Sequence, residues 1–262
     1  MDIRLDGRRA VVTGGTKGIG RGVVQEFLDA GADVAFCARD ADDVRTTAEQ
    51  LRSARPDAVV HGRPVDVTDA GAVSDFISGA AAALGGIDIL VNNAGAAHPG
   101  TFETLDDTAW QADIDVKLFS QIRCTREALP HLRRSPAPRV ININAVYARY
   151  PDPAFFATTV NRAACLNLTK ALARQYGPEA ILVNSINIGF VVTAQWKDIH
   201  ARKAPDQSQE EFFAGLAEQE VPLGRFGTAD EVSGIVTFLA SDRGSYITGA
   251  SIDVAGGMGK YV

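Results

Sequence analysis

The sequence predicts an α/β domain built on a doubly wound, parallel, seven-stranded sheet. Strand-like and helix-like stretches alternate along all 262 residues, and several strand candidates are continuous runs of Val, Ile and Ala. Such runs are typical of a sheet that is covered by helices on both faces. No Pro/Gly-rich linker divides the chain. We therefore expect a single domain over residues 1–262.

Seven segments have the length and composition of strands, and amphipathic stretches of helical period fill the gaps between them. The strand candidates are residues 10–13, 33–38, 59–65, 89–92, 139–143, 182–188 and 251–254. Residues 193–221 are irregular, rich in charge and interspersed with large aromatic side chains. Their position after a late strand is typical of a substrate lid, and a plain pair of surface helices fits the pattern equally well.

Composition and charge narrow the classes of function. No stretch is apolar enough to span a bilayer, and charges among the first six residues favour a cytoplasmic protein over a secreted one. The net charge of −6 without a basic stripe argues against nucleic acid as a partner. Cys37, Cys124 and Cys165 show neither disulfide nor metal-site spacing, so we expect buried thiols and no metal.

The strongest functional signal is the turn formed by residues 11–20. A predicted strand leads into three glycines, Gly14, Gly18 and Gly20, and an amphipathic helix follows. Glycine allows the backbone to approach a pyrophosphate closely, and the helix N-terminus offers free N–H groups and the positive end of its dipole. Strand, turn and helix in this order predict a dinucleotide site in a Rossmann-type fold.

Further motifs resemble those of the short-chain dehydrogenase/reductase family. The glycine turn resembles the nucleotide motif of that family, Asp66 and Val67 its adenine-pocket segment, and residues 92–95 its strand-end motif. The resemblance extends over essentially the whole chain, because three segments near the C-terminus also match: residues 222–227, 247–250 and 253–257.

This resemblance implies the strand order 3-2-1-4-5-6-7, with cofactor and substrate above the carboxyl ends of the strands. It also implies a homotetramer in which helices over residues 108–132 and 154–176 pair across a twofold axis. The cofactor contacts that it implies come from Gly14, Thr16, Lys17, Gly18, Ile19, Gly20, Arg39, Asp66, Val67, Asn93, Ala94, Gly95, Arg162, Gly189, Val191 and Thr193.

The end of the second strand indicates which nicotinamide cofactor binds. In NAD sites an acid about 20 residues beyond the glycine turn accepts hydrogen bonds from the ribose. Here Ala38 stands at that position with Arg39 beside it, and Lys17 adds a second cation. Two cations without a carboxylate favour the 2′-phosphate of NADP(H) over NAD, because an arginine can bind a phosphate through two parallel hydrogen bonds.

Four positions depart from the catalytic Asn, Ser and Tyr-x-x-x-Lys of the family. Lys117 aligns with the Asn and Ala145 with the Ser. Thr158 and Arg162 align with the Tyr and the Lys, and their spacing keeps them on one helical face. The chain thus resembles an atypical branch that lacks this tetrad. We expect Thr158 only to hydrogen-bond and Arg162 to hold ribose, because neither titrates near neutral pH.

The sequence leaves the proton donor open. Lys117 is one candidate, because the pKa of a lysine falls among other cations. Asp152, held between two prolines, is a second candidate. The phenols of Tyr147 and Tyr150 are further alternatives.

Two classes of function also stay open. One is an NADP(H)-dependent oxidoreductase with a substituted active site that reduces a carbonyl or an imine or iminium group. The other is a non-redox nucleotide-binding scaffold, such as a cyclase-like template or a sensor. Several aromatic residues predict a small, largely apolar and cyclic substrate; they are Phe155, Phe156, Phe190 and Trp196.

Overall fold

A computed structural model describes residues 3–96, 98–259 and 261 and confirms the single α/β domain. Its sheet has seven strands, all parallel as the sequence predicted, in the order β3-β2-β1-β4-β5-β6-β7 that the family resemblance implied. The strands are β1 (Arg9–Thr13), β2 (Asp33–Ala38), β3 (Val60–Pro64), β4 (Ile89–Asn92), β5 (Arg139–Ala145), β6 (Leu182–Ile188) and β7 (Ser251–Val254).

Helices cover both faces of this sheet, which explains the continuous apolar strands. In β1, Val12 packs in a cluster with Val24 and Phe27, whereas its neighbour Val11 packs on the opposite side with Phe76. The helices are α1 (Gly18–Asp29), α2 (Ala41–Ala54), α3 (Ala70–Leu84), α4 (Asp107–Ile114), α5 (Ser120–Leu132), α6 (Phe156–Tyr176), α7 (Ala194–Lys203), α8 (Gln209–Glu220) and α9 (Ala229–Ala240). No helix in the described residues is long and apolar enough to cross a membrane.

Helix caps fix where several of these elements begin. The carboxylate of Asp40 accepts a hydrogen bond at the start of α2, and Asp69 and Asp106 do the same for α3 and α4. The three cysteines are buried, as expected; Cys37 lies in β2, Cys124 in α5 and Cys165 in α6.

The long helix predicted over residues 108–132 is interrupted. Residues Asp115–Phe119 form a π-helical turn between α4 and α5, and Lys117 lies in the middle of this turn. Single π turns inside α-helices occur frequently at functional sites.

The irregular segment after β6 folds as the helix pair α7 and α8. An aromatic cluster joins this pair to the loops on either side of it. The ring centroid of Trp196 lies 4.8 Å from that of Phe190 in the loop after β6, and the centroid of Phe213 lies 4.7 Å from that of Phe226 in the loop after α8. Residues 193–221 therefore contain a pair of helices, which is the alternative to a substrate lid that the sequence left open. The motion of this segment as a lid stays a prediction.

Candidate active site

A cavity of about 840 Å³ lies at the carboxyl edge of the sheet, between the ends of β1, β4, β5 and β6. Its walls come from the loops that follow these strands, from α1, α6 and α7, and from the π-helical turn. Among the residues expected to contact a cofactor, all line this cavity except Asp66 and Val67. Asp66 instead accepts hydrogen bonds from the backbone N–H and the hydroxyl of Thr68, at 2.9 and 2.7 Å. The backbone bond and Thr68 hydroxyl hold the pKa of Asp66 below its usual value despite partial burial.

The glycine turn is packed so closely against the start of α1 that a side chain at Gly20 would not fit. A Cβ on Gly20 would lie 2.1 Å from the carbonyl oxygen of Gly14, and Gly14 itself has a φ of +70°. The side chain of Asn93 fixes the turn by donating to the carbonyls of Thr13 and Gly14, at 2.9 and 3.1 Å. Lys17 precedes α1 without a side-chain cap, so no side chain competes for the first N–H groups of this helix.

The adenosine end of the cavity carries carboxylates as well as the two predicted cations. Asp40 and Asp43 line this part of the cavity together with Lys17 and Arg39. Lys17 forms an ion pair with Asp43, with 2.5 Å between Nζ and Oδ2, and this bond raises the pKa of Lys17. The carboxylates come from the start of α2, one residue and four residues beyond Arg39. Lys17 is therefore already partly neutralised.

At the other end of the cavity, the four substituted positions come together. Ala145 ends β5, Lys117 projects from the π-helical turn, and Thr158 and Arg162 lie one turn apart on α6; all four line the cavity. Lys117 is only 1% exposed. Its side chain nevertheless faces the space above the strand ends.

Sequence reasoning missed the group that holds this cluster together, the carboxylate of Asp113. Its Oδ1 accepts hydrogen bonds from the Lys117 ammonium and from the Thr158 hydroxyl, the latter at 3.2 Å. Asn161 donates to Oδ2 at 2.8 Å, and His98 Nδ1 lies 2.8 Å from Oδ1. The i, i+4 spacing of Asp113 and Lys117 on a predicted helix was an available signal. No sequence signal connected His98 to this site, because it lies on a loop.

Burial and charge shift the pKa of both ionic groups in this network. Burial alone would raise the pKa of Asp113, but the charge and hydrogen bond of Lys117, together with Asn161 and His98, lower it. Burial and the nearby Arg162 cation lower the pKa of Lys117, Asp113 opposes them, and the result is about 8.

Arg162 is half-buried in the wall of the cavity, and its hydrogen-bond donors are only partly satisfied. Its Nη1 donates to the carbonyl of Ile143 at 2.8 Å, but its buried Nε has no partner among the described residues. Burial lowers the pKa of Arg162, although a guanidinium stays charged at working pH. The cradle of the glycine turn and this unpartnered donor both fit a bound dinucleotide.

Asp152 lies away from the substituted cluster. It lines a second cavity of about 560 Å³, and its Oδ1 accepts a hydrogen bond from the backbone N–H of Ala154 at 2.8 Å. Tyr147 lines both cavities, and burial and the neighbouring Asp152 raise its pKa. Tyr150 lines only the second cavity.

The aromatic residues predicted around the substrate divide into two groups. Phe155, Phe190 and Trp196 line both cavities, and Phe155 stacks on Tyr147 with ring centroids 5.6 Å apart. Phe156 lines neither cavity and packs against Phe102 and Trp110 instead. The prediction for Phe156 is therefore wrong, because the start of α6 turns its side chain away from the cavity.

Comparison with known proteins identifies the family. A family model described as enoyl-(acyl carrier protein) reductase matches residues 14–259. The chain is 30% identical over 258 residues to the 3-oxoacyl-[acyl-carrier-protein] reductase FabG of Aquifex aeolicus, which covers 98% of this chain and 100% of that protein. The chain belongs to the short-chain dehydrogenase/reductase family. As a member of this family, it is an NAD(P)-dependent oxidoreductase.

Solved structures of other short-chain dehydrogenases/reductases are similar over the full length. A short chain oxidoreductase from Pseudomonas aeruginosa PAO1, described as NADPH bound and as containing an atypical catalytic center, is 38% identical with a TM-score of 0.92, over 99% of each chain. L-sorbose reductase from Gluconobacter frateurii, complexed with NADPH and L-sorbose, is 28% identical with a TM-score of 0.96, over 100% of each chain.

Proposed function

We propose that the chain is an NADPH-dependent reductase of carbonyl or imine groups in which Lys117 replaces tyrosine as the proton donor. The observation that carries this proposal is a buried lysine in the cavity wall, with a pKa of about 8, beside Thr158 and Arg162. A general acid is most effective when its pKa lies near the working pH. Ala145 supplies no polar group, so the substituted cluster offers no other acid of this kind.

The chemistry divides between cofactor and protein. When bound, NADPH supplies a hydride to the carbon of the substrate. The Lys117 ammonium donates a proton to the carbonyl oxygen, while Arg162 holds the cofactor through its free guanidinium donors. Thr158 hydrogen-bonds Asp113 and so fixes the carboxylate that orients Lys117. An iminium substrate needs no proton, because it is already cationic.

The cavity walls support an apolar, ring-containing substrate. Tyr147, Phe155, Phe190 and Trp196 are shared by the two cavities, so a substrate seated beside Lys117 can extend between aromatic faces into the second cavity. Aromatic walls of this kind favour flat or cyclic molecules.

A direct assay tests the proposed function. The protein is incubated with NADPH and a panel of aromatic ketones, cyclic imines and enones, and loss of NADPH absorbance is followed together with product formation. We expect turnover of at least one ketone or imine class. If every class fails while NADPH still binds, a non-redox nucleotide-binding scaffold becomes the better account.

We expect NADPH to bind at least tenfold more tightly than NADH. Arg39 borders the cavity where Ala38 offers no acid to the ribose, and a charge-assisted hydrogen bond contributes about 1.5–3 kcal/mol. Arg39→Ala should remove most of this preference, whereas Lys17→Ala should have a smaller effect because Asp43 already pairs with Lys17. Fluorescence titration of both cofactors measures the preference, and equal affinity in the wild-type protein would contradict it.

We also propose a homotetramer. Phe119 and Val160 are 39% and 46% exposed on the helical layer formed by the π-helical turn and α6, and burying them against a second copy would remove apolar surface from water. Light scattering at micromolar concentration should give a mass four times that of the chain. Monomer alone under these conditions would refute the proposal.

A further inference from the structure

We propose that Asp113 and His98 form a proton relay that recharges Lys117 from solvent after each turnover. The inference rests on the proposed function, because it supplies the proton path for the donor assigned there. A single atom connects His98 to Lys117: Asp113 Oδ1 accepts a hydrogen bond from Lys117 Nζ and lies 2.8 Å from His98 Nδ1. A proton can therefore pass between the two groups through a single carboxylate oxygen.

His98 is the residue of this relay that contacts solvent. Lys117 and Asp113 are 1% and 0% exposed, and Thr158 and Asn161, the other described partners of Asp113, are buried as well. The side chain of His98, in contrast, is 36% exposed. Among the described side chains that bond Asp113, it is the one in substantial contact with water.

The protonation states of Asp113 and His98 allow a proton to pass from solvent toward Lys117. The carboxylate of Asp113 is ionised and acts only as an acceptor, so the His98 nitrogen that faces it, Nδ1, carries a hydrogen. The other ring nitrogen, Nε2, is then the basic one in the neutral imidazole. Imidazole is the side chain that gains and loses protons near neutral pH.

The transfer balances in atoms and charge. After Lys117 has given its proton to the substrate oxygen, it is a neutral amine. A proton from bulk solvent binds His98 at Nε2, the Nδ1 proton passes to Asp113 Oδ1, and the carboxyl passes a proton to the Lys117 amine. The lysine ends as an ammonium and the carboxylate is regenerated. The imidazole ends as its Nε2–H tautomer, and proton exchange with water, with a proton lost from Nε2 and one gained at Nδ1, returns it to the Nδ1–H form.

The other titratable groups that the structure describes around Lys117 do not offer an alternative route. Arg162 and Cys165 face it from α6. Arg162 holds its protons at working pH, and burial raises the pKa of the Cys165 thiol. Asp113 and His98 act through Lys117, so they are positioning residues rather than catalytic ones.

Chemical rescue tests the relay in turnover. His98→Ala should lower the kcat of ketone reduction at least tenfold in dilute buffer, with the KM of the ketone and NADPH affinity nearly unchanged. Added imidazole should restore kcat in a saturable manner. His131→Ala is the matched control, because His131 is also partly exposed but lies on α5 beside Arg134. An unchanged kcat in His98→Ala, or a loss that imidazole does not restore, would overturn the relay.

A second measurement does not depend on turnover and so separates the relay from the proposed function. In protein labelled with ¹⁵N-lysine, NMR gives the exchange rate of the Lys117 ammonium protons with water, and Lys117→Met assigns the signal. We expect exchange at least tenfold slower in His98→Ala than in the wild-type protein and the His131→Ala control, with recovery on adding imidazole. Equal exchange rates would overturn the relay even if the enzyme reduces ketones. Slower, imidazole-dependent exchange would support it even if no tested substrate is reduced.

Discussion

Replacing Lys117 with Met is expected to lower the kcat of ketone reduction by about 10²–10⁴-fold, the usual contribution of a general acid. Methionine keeps an unbranched side chain of similar length but has no proton to donate. The affinity for NADPH should change little, because Arg162 and the glycine turn are untouched. Steady-state kinetics and a fluorescence titration measure the two effects separately, and a kcat within threefold of the wild-type value would show that Lys117 is not the donor.

The pH profile provides a second signature of the same residue. The protonated form of Lys117 is the donor, and it predominates below the pKa of about 8. We therefore expect kcat for ketones to fall as pH rises through about 8, and this decline to be absent in Lys117→Met. Burial and Arg162 lower this pKa and Asp113 raises it, while Cys165 and His98 are the other titratable groups near Lys117. An iminium substrate should lack the decline even in the wild-type enzyme.

Asp152→Asn is the control for the alternative donor. The carboxylate of Asp152 accepts a backbone hydrogen bond in a turn and lines the second cavity rather than the one that contains Lys117. Asparagine can accept the same bond, so kcat should stay near the wild-type value. Loss of turnover in this variant, with retention in Lys117→Met, would assign the proton to Asp152 instead.

The sheet was predictable because each of its strands carries a local signal. Runs such as residues 10–13 and 89–92 are apolar on both faces, and parallel sheets require this pattern. Strand ends were less certain: β5 continues to Ala145, two residues beyond the prediction, because the polar Asn144 obscures the apolar run although it is fully buried. Its side chain donates to the carbonyl of Arg162 at 3.0 Å, a long-range contact without a local signature.

The site was predictable only where the chain repeats a known motif. The glycine turn and the positions of Lys117, Thr158 and Arg162 follow from such spacing, and these residues do line one cavity. The spacing of Asp113 and Lys117 offered a local signal, but the contacts of Asp113 with α6 and with His98 had none. Asp43 was missed because its partner, Lys17, lies in a different segment of the chain. Local patterns indicate where a side chain lies along an element, but they do not identify its partners.

The buried pair should also dominate local stability. Asp113→Ala is expected to lower the free energy of unfolding by about 3–5 kcal/mol, because it leaves the Lys117 charge buried without its carboxylate. Urea denaturation of the cofactor-free protein at fixed protein concentration measures the change. The part of this loss that comes from the Lys117 charge should shrink as pH rises. Without Asp113 the folded-state pKa of Lys117 falls further below its unfolded value than in the wild-type protein. Above the wild-type pKa of about 8, Lys117 is neutral in both folded proteins and this difference in stability disappears.

A double-mutant cycle separates this charge effect from lost packing. In the Lys117→Met background no charge remains to be stranded, although Asn161, Thr158 and His98 still lose their acceptor. The cost of Asp113→Ala should therefore be smaller in that background by about 2 kcal/mol or more. If Asp113→Ala lowers the free energy of unfolding equally in the wild-type and Lys117→Met proteins, Lys117 is already neutral at the pH of the measurement. Ketone reduction by a Lys117 ammonium at that pH would then be excluded, so the same cycle tests the stability argument and the identity of the acid.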